Sequence, residues 1–256
     1  KPKGIRYPRA GTLGGCTSHN AMITVYPHES DWKKLATLTG DDSWKPENMR
    51  RYYELLERCE YLGSGDQTRG HGFRGWLGVN RADSRLGLRD LKILQVAKAA
   101  AVTMGGVFGT VEELIGLMRR DLNEASPQRD AKEGIYSIPL AIKNGKRNGP
   151  REYLLETVAK GFPLTIKTGC LASRVLFAEE AGPNGKKKAI GVEFLEGKSL
   201  YRADAPAKSA PNGKKHRVLV TREVILAAGA YNTPQLLKLS GVGPRAELEK
   251  FGIDVK

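Results

Sequence analysis

A short glycine-rich segment near the start of the chain, residues 11–20, constrains the fold more than any other feature. It reads GTLGGCTSHN, with glycine at positions 11, 14 and 15. Glycine removes the side chains that would hold a ligand away from the backbone, and it gives the backbone access to positive φ. Thr17 and Ser18 add hydroxyl donors beside the amides. The pattern predicts a loop that approaches a flat or anionic ligand closely, and a plain surface loop is the alternative.

A second motif far downstream, residues 224–244, reads VILAAGAYNTPQLLKLSGVGP. The β-branched residues Val224 and Ile225 lead into small residues that would let a strand pass beneath a bound ligand. Thr233 followed by Pro234 predicts the start of a helix. The glycines and proline that close the motif predict the end of that helix. The expected order is strand, tight turn, helix and stop.

Together, the two motifs resemble the two sequence signatures of the glucose-methanol-choline (GMC) family of flavin-dependent oxidoreductases. Between them, residues 147–155 (RNGPREYLL) resemble the family's segment that leads into a helix, and residues 164–177 resemble its next strand pair. The resemblance is weak from about residue 63 to 134. It implies an α/β fold that includes part of a Rossmann-like FAD-binding domain with a β-meander, and a helical substrate-side segment.

The resemblance assigns a set of residues to the flavin ring, namely Gly14, Gly15, Cys16, His19, Asn20 and Ala21. In the choline-oxidase branch of the family, the histidine of this loop is joined covalently to the 8α-methyl carbon of the flavin. That role maps onto His19, and neutral imidazole is a competent nucleophile near pH 7. The alternative is that His19 only hydrogen-bonds the flavin or packs beside it, and covalent attachment is favoured. Ala21 stands where that branch has serine, so the substrate is not carried over.

Three further positions are implied to contact the dinucleotide part of FAD. Ala172 resembles the residue whose backbone meets the adenine, and Ala228 and Gly229 resemble residues that pass beneath the dinucleotide. Close packing between strand and helix is the alternative for all three.

Flavoproteins of this family place the FAD pyrophosphate at a helix N-terminus with a strand, a Gly-x-Gly-x-x-Gly turn and a helix in succession, and we identify no such strand–turn–helix motif in the sequence. The family's catalytic base, a histidine with a second histidine or asparagine, is expected C-terminal to residue 256. We therefore assign no catalytic residue within the chain. We expect the sequence to be the middle of a longer enzyme, and to bind FAD poorly without its neighbouring segments.

The implied function is FAD-dependent oxidation of an alcohol by hydride transfer to flavin, with oxygen or another acceptor reoxidising the flavin. The alternative is a non-catalytic fragment or degenerate domain that only packs against a partner.

The net charge of +14 raises the question of nucleic-acid binding. The lysines gather in turns, at residues 186–188 and 208–215, with few aromatics among them, so charged loop tips are the better explanation. No apolar run approaches the roughly 20 residues of a membrane span. Three cysteines do not suggest a disulfide framework, and Cys59 and Cys170 are expected to be structural. No zinc-type spacing is present, so surface or structural roles are expected for His28 and His71.

The expected organisation has three parts: residues 1–62 with the flavin loop and two helices, a mainly helical substrate-side region at 63–163, and a return to the FAD domain at 164–256. The second helix is predicted to begin at Lys45–Pro46 and to extend to Cys59. A loop with functional mobility is expected at 63–78. Helices are expected at 90–101 and 111–122, and strands at 173–177, 189–195 and 217–221.

Overall fold

A computed structural model describes residues 7–63, 69–81, 90–103, 110, 113, 116, 120–134, 136–180, 182, 185–202 and 212–256. The chain divides into two compact units, Lys1–Leu164 and Thr165–Lys256. Both contain helices and sheets, which confirms the α/β class. The three-part functional division of the chain stays a prediction.

The helices of the first unit begin where the sequence provides a cap or a proline. Those whose bounds fall among the described residues are α1 (Glu29–Thr39), α2 (Pro46–Leu56), α3 (Leu91–Thr103), α4 (Pro127–Ala131) and α5 (Pro150–Ala159). His28 caps α1, because its Nδ1 accepts a hydrogen bond from the Ser30 amide at 3.1 Å. Proline occupies the first turn of α2, α4 and α5, where its missing N–H has no partner to lose.

The predicted extension of α2 to Cys59 is wrong, because the chain leaves the helix at Glu57 and forms a strand. Strand β1 (Glu57–Cys59) pairs in parallel with β2 (Leu77–Arg81), which in turn pairs antiparallel with β3 (Pro139–Leu140). Both ends of β1 are buried, whereas its middle residue is only partly so. The helical spacing of apolar residues continues to Cys59, but residues 57–59 are instead paired and buried in this sheet.

The prediction of a loop through residues 63–78 is only partly right. Residues 64–68 lie outside the described residues, but β2 begins at Leu77 and His71 is buried. The helix predicted at 111–122, with the glycine break before it, falls largely outside the described residues. Within that range Asp121 forms a parallel bridge with Ser137.

A tight hairpin follows β3 in the first unit. Strands β4 (Ile142–Lys143) and β5 (Lys146–Arg147) pair antiparallel around Asn144 and Gly145. The φ angles of these two residues are 52° and 73°. Positive φ at both central positions is the type I′ geometry, which matches the twist of the flanking strands. The hairpin therefore holds Arg147 on a short, well-defined ribbon.

The second unit contains the predicted β-meander. Its strands β6 (Cys170–Phe177), β7 (Ala189–Glu196) and β8 (Lys214–Leu219) pair antiparallel in that order. The third strand begins three residues earlier than the prediction at 217 and ends two residues earlier than 221. The register shifts between Ala172 and Arg174, which marks a bulge in β6.

In the described part of the second unit, the meander is followed by α6 (Gly229–Leu239) and α7 (Arg245–Lys250). The strand predicted at Val224 is wrong, since residues 223–227 pair with no strand among the described residues. The predicted helix start at Thr233 is also wrong. The helix begins earlier and carries Pro234 inside it, while the Thr233 hydroxyl oxygen accepts a hydrogen bond from the Ala228 amide at 3.0 Å.

The end of α6 is tied to the meander through a buried serine. The hydroxyl of Ser240 accepts from the amide of Val175 at 2.8 Å and donates to the carbonyl of Leu236 at 2.6 Å. These residues are buried. The core of the second unit therefore includes the contact between β6 and the end of α6, and Leu248 of α7 is buried as well.

None of the helices among the described residues has the length and apolar character needed to span a membrane.

At two positions of the first unit, Gly72 and Gly75, the backbone lies so close to the end of α2 that only glycine fits. A Cβ at Gly72 would lie 1.7 Å from the carbonyl oxygen of Glu54, and one at Gly75 would lie 2.1 Å from that of Leu56. These carbonyl groups belong to the main chain at the end of α2, so a Cβ at either glycine would have to displace backbone and not a flexible side chain. This contact fixes the segment before β2 against the end of the helix.

We therefore expect Gly72→Ala to lower the free energy of unfolding by about 2–4 kcal/mol, because the added methyl group displaces backbone. Urea unfolding followed by circular dichroism measures this loss. Gly63→Ala is the matched control, since a Cβ at that position meets no atom within 4 Å. Equal stability of the two variants would show that the approach at Gly72 is not tight.

Candidate functional site

The glycine-rich loop contains a turn of 3₁₀ helix, Gly15–Ser18. Gly14 and Gly15 have φ angles of 84° and 56°, in the left-handed region that favours glycine. A Cβ at Gly14 would also lie 2.9 Å from the Arg151 Cβ and 2.9 Å from the Ser18 Oγ, whereas a Cβ at Gly15 would meet nothing within 4 Å. Gly14 is therefore needed for packing, and the space beside Gly15 is open.

The hydroxyl groups of the loop serve the loop itself. Thr17 donates its hydroxyl to the carbonyl of Gly14 at 2.6 Å, and Ser18 donates to that of Leu13 at 2.9 Å. The sequence led us to expect these hydroxyls as donors for a ligand, and this expectation is wrong for the structure described. They instead hold the backbone in its tight turn.

The loop ends by presenting three consecutive exposed residues, His19, Asn20 and Ala21. The amides of His19 and Asn20 both donate to the carbonyl of Cys16, at 3.2 and 2.9 Å. The 3₁₀ turn thus closes beneath these residues, and their side chains lie on its solvent side. Gly14, Gly15 and Cys16 are half-buried below them. All six residues assigned to the flavin ring are therefore brought together in one loop.

Arg147 binds this loop from the β4–β5 hairpin, and sequence reasoning did not assign it a role. Its Nη1 donates to the carbonyl of Thr17 at 2.9 Å and to the Asn20 Oδ1 at 2.8 Å. Its Nη2 donates to the carbonyl of Asn20 at 2.9 Å. A guanidinium is a planar fork with fixed donor directions, so three bonds to one loop define its position. A separation of 127 residues between Arg147 and Asn20 explains why local patterns did not reveal the contact.

Met22, just after the exposed residues, has an unusual backbone. Its φ is 61°, a conformation that costs a non-glycine residue about 1–3 kcal/mol. Its amide donates to the Asn20 Oδ1 at 3.0 Å, and its carbonyl accepts from the Ala141 amide at 2.7 Å. The neighbouring contacts therefore hold the chain in a conformation that this residue would otherwise avoid.

Cys16, at the base of the loop, lies beside the side chain of Arg9. Hydrogen bonds from the Ala10 backbone, the Arg9 side chain and His19 lower the pKa of the Cys16 thiol from 9.0 to about 7. Arg9 Nη1 lies 3.5 Å from Sγ. Because the thiolate is the reactive form, Cys16 should react readily at neutral pH.

The three positions assigned to the dinucleotide lie in the second unit. Ala172 is exposed on β6 at the bulge, and Ala228 and Gly229 are exposed at the start of α6. Gly229 has a φ of 93°, and a Cβ there would meet nothing within 4 Å. The backbone conformation, and not a close neighbour, therefore favours glycine at this position.

A buried ionic cluster lies elsewhere in the first unit. His71 Nδ1 is 3.0 Å from the Glu57 Oε2, and its Nε2 is 3.2 Å from the Asp121 Oδ2. Arg81 Nη2 lies 2.7 Å from the same Asp121 oxygen. The side chains of Glu57 and His71 are fully buried. We refer to Glu57, His71, Arg81 and Asp121 as the buried ionic cluster.

The charges of this cluster balance when His71 is protonated, with two carboxylates facing one imidazolium and one guanidinium. Burial alone would lower the pKa of His71, but contacts with Asp121, Cys59 and Glu57 outweigh it and raise the pKa to about 11. Burial would raise the pKa of Asp121, and the contact with His71 outweighs it and lowers that pKa to about 2. Both shifts favour the charged forms.

Two members of the buried ionic cluster, together with the neighbouring Cys59, offer three atoms of the kinds that bind metals. Ligand atoms of Glu57, Cys59 and His71 lie within 4.8 Å of one another. Their sequence positions gave no sign of this, since the residues are not spaced like a zinc motif. Both imidazole nitrogens already face carboxylates. The structural role expected for His71 stays a prediction.

The buried ionic cluster predicts a pH dependence of stability. Because the pKa of His71 is higher in the folded chain than its ordinary 6.5, the stability it adds is complete below pH 6.5 and is lost as pH rises towards about 11. We expect His71→Gln to lower the free energy of unfolding by about 3–5 kcal/mol at pH 7, since it leaves buried carboxylates short of a partner. As pH rises, the difference in unfolding free energy between wild type and His71→Gln should narrow by up to about 1.4 kcal/mol per pH unit.

Urea unfolding of both proteins at pH 7, 8 and 9 measures this gap. His28→Gln is the control, because His28 is half-exposed and outside the cluster. A gap that stays constant with pH would contradict a folded-state imidazolium.

The Cys16 thiol predicts a pH profile for alkylation. With iodoacetamide, modification of Cys16 should be half-maximal near pH 7. Arg9→Gln should move the midpoint upwards, because it removes a hydrogen bond that favours the thiolate. Peptide mass spectrometry follows the modification, with Lys146→Gln as a control that removes a similar charge from the hairpin. An unchanged midpoint in Arg9→Gln would exclude Arg9 as a cause.

Comparison with known proteins gives a consistent match over nearly the whole chain. A family model described as GMC oxidoreductase matches residues 3–253. An alcohol dehydrogenase (acceptor) of Pseudomonas putida is 31% identical over 251 residues, which cover 98% of this chain and 38% of that protein. The mitochondrial choline dehydrogenase of Mus musculus is 28% identical over 98% of this chain and 34% of its own length.

Solved structures show the same fold. Pyridoxine 4-oxidase from Mesorbium loti superposes with a TM-score of 0.67 at 21% identity, over 96% of this chain and 40% of that one. A formate oxidase variant of Aspergillus oryzae RIB40 also superposes with a TM-score of 0.67 at 21% identity, over 96% of this chain and 36% of that one. The chain thus spans between 34% and 40% of the length of these four proteins. Because the family model matches residues 3–253, the chain belongs to the GMC oxidoreductase family, whose members bind FAD and act on alcohols or similar donors.

Proposed function

We propose that this chain forms part of an FAD-dependent oxidoreductase that oxidises an alcohol by hydride transfer to the flavin. The observation that carries the proposal is the exposed row His19, Asn20 and Ala21 on the closed glycine loop of a GMC family member. The relatives named alcohol dehydrogenase and choline dehydrogenase support a hydroxyl group as the electron donor.

The loop has the shape and chemistry that a flat ring system requires. The open space beside Gly15 leaves the backbone accessible. Ala21 adds no bulk, and the imidazole of His19 and the amide of Asn20 are the polar groups on the exposed side. The turn is rigid because its hydroxyls and carbonyls are already paired within the chain. A rigid site loses little entropy when a ligand binds, so these residues fit the isoalloxazine ring of FAD.

When bound, FAD supplies the two-electron acceptor that receives hydride from the carbinol carbon. The contribution of this chain is to hold and orient the ring through residues 14–21. In the second unit, Ala172, Ala228 and Gly229 are the proposed contacts for the dinucleotide, and all three are exposed. The base that removes the hydroxyl proton is proposed to come from sequence beyond residue 256, as the family resemblance implies.

We also propose that His19 attaches covalently to the flavin. Its exposed imidazole nitrogen would form the bond to the 8α-methyl carbon in place of one hydrogen. Forming this link would break one C–H bond of the methyl group and the N–H bond of the imidazole, and the two electrons lost would pass to oxygen or the natural acceptor while the two protons would pass to solvent. Such a bond would prevent loss of the cofactor and would raise its reduction potential.

This proposal predicts flavin mass on one peptide. In the longest natural protein that carries this sequence, acid denaturation should leave the flavin absorbance with the protein, and digestion should place the added mass on the peptide that contains His19. His19→Ala should release the flavin on denaturation and slow alcohol oxidation, because the link is absent. His28→Ala is the control, since His28 lies outside the loop.

A colourless, folded protein with no flavin mass would overturn the proposal and favour a domain that acts only by packing against a partner. Flavin that is bound but released from wild type by acid would overturn only the covalent attachment.

A further inference from the structure

We propose that Arg147 is a positioning residue for the flavin-attachment face, which we define as His19, Asn20 and Ala21. Arg147 would hold this face in the one arrangement from which His19 reaches the flavin. The inference rests on the proposed function, since it assigns a role within the same loop.

The first observation is where the guanidinium binds. Its three hydrogen bonds reach the carbonyl of Thr17 and both oxygens of Asn20, at 2.8 to 2.9 Å. These two residues stand on either side of the His19 peptide. His19 therefore lies in a stretch of backbone that is fixed at both ends by a single side chain. A lysine at this position would keep the charge but not the planar fork.

The second observation is that Arg147 itself stands on a rigid support. It ends the β4–β5 hairpin, and the next residue, Asn148, is buried. The Asn148 amide donates to the carbonyl of Ala141 at 3.0 Å, and its Oδ1 accepts from the Gly78 amide of β2 at 2.7 Å. The hairpin is thus hydrogen-bonded to β2 of the first unit. Arg147, at the end of the hairpin, holds the loop in a fixed position relative to that sheet.

The third observation is strain at the far end of the loop. Met22 adopts a φ of 61°, and its amide donates to the same Asn20 Oδ1 that accepts from Arg147. A left-handed methionine persists only where surrounding contacts over-determine it. The Arg147 to Asn20 contact supplies part of that constraint. Without it, we expect residues 19–22 to relax away from the observed arrangement.

The roles of charge and of geometry are separable here. Lys146 precedes Arg147 on the same strand and is exposed, so Lys146→Gln removes a neighbouring positive charge without touching the loop. Met22→Gly removes the penalty for positive φ. If Arg147 acts through geometry, adding Met22→Gly should partly restore what Arg147→Lys loses.

The test uses the longest natural protein that carries this sequence, and compares wild type with Arg147→Lys, Arg147→Lys with Met22→Gly, and Lys146→Gln. We measure the fraction of purified protein with acid-stable flavin, and hydrogen exchange of the peptides that cover residues 17–22. Arg147→Lys should lower the acid-stable fraction by about tenfold, because a displacement of about 1 Å greatly slows an oriented reaction. Exchange in the loop should quicken by about tenfold. The double variant should recover part of both losses, and Lys146→Gln should match wild type.

If a folded Arg147→Lys protein has the same acid-stable flavin fraction and the same hydrogen exchange in the loop as wild type, this inference is overturned. The proposed function would still stand. Absence of flavin from wild type would overturn the proposed function, and the inference with it. If Arg147→Lys does not fold, Asn20→Ala gives the same decision, since it removes the shared acceptor and leaves the guanidinium in place. Normal loop exchange in a folded Asn20→Ala protein would then refute the positioning role.

Discussion

The buried contact between His71 and two carboxylates is the interaction on which the first unit depends. It joins β1, the segment before β2 and the segment around residue 121, which are distant in sequence. An unpaired charge in such a place would cost several kcal/mol, so each member requires the others. The cluster therefore fixes three parts of the backbone at once, where an apolar contact would leave them free to slide.

That constraint reaches the candidate site through Asn123. Its amide donates to the Asp121 Oδ1 at 2.8 Å, and its Oδ1 accepts from the Tyr26 amide at 2.7 Å. Its Nδ2 donates to the carbonyl of Thr24 at 2.9 Å. The stretch that follows the glycine loop is thus bound to the ionic cluster at one end, while Arg147 binds the loop itself. Two separate anchors hold the face that carries His19.

Local sequence signals predicted the parts of the fold that depend on local physics. The proline at the start of α2, the meander strands and the tight glycine loop all follow from residues that are adjacent in the chain. The Asn144–Gly145 pair is a strong hairpin signal that we did not use, and it would have revealed the support for Arg147. The strand expected at Val224 did not form among the described residues, because a strand needs hydrogen-bonded neighbours that its own sequence does not supply. The six loop residues could be grouped from sequence, whereas the contact of Arg147 and the charge cluster depend on long-range folding.

Burial of Glu57 also affects the register in which β1 pairs with β2. In β1 it pairs with Leu77 of β2 and faces the buried histidine, while Arg58 next to it is partly exposed. A slip of one residue along the strand would turn Glu57 outwards and bring the arginine against the His71 imidazolium and near Arg81. Two like charges would then share a site without water. The inward-pointing glutamate thus acts against misaligned pairing and selects a single register for a strand of three residues, which its few backbone hydrogen bonds alone could not enforce.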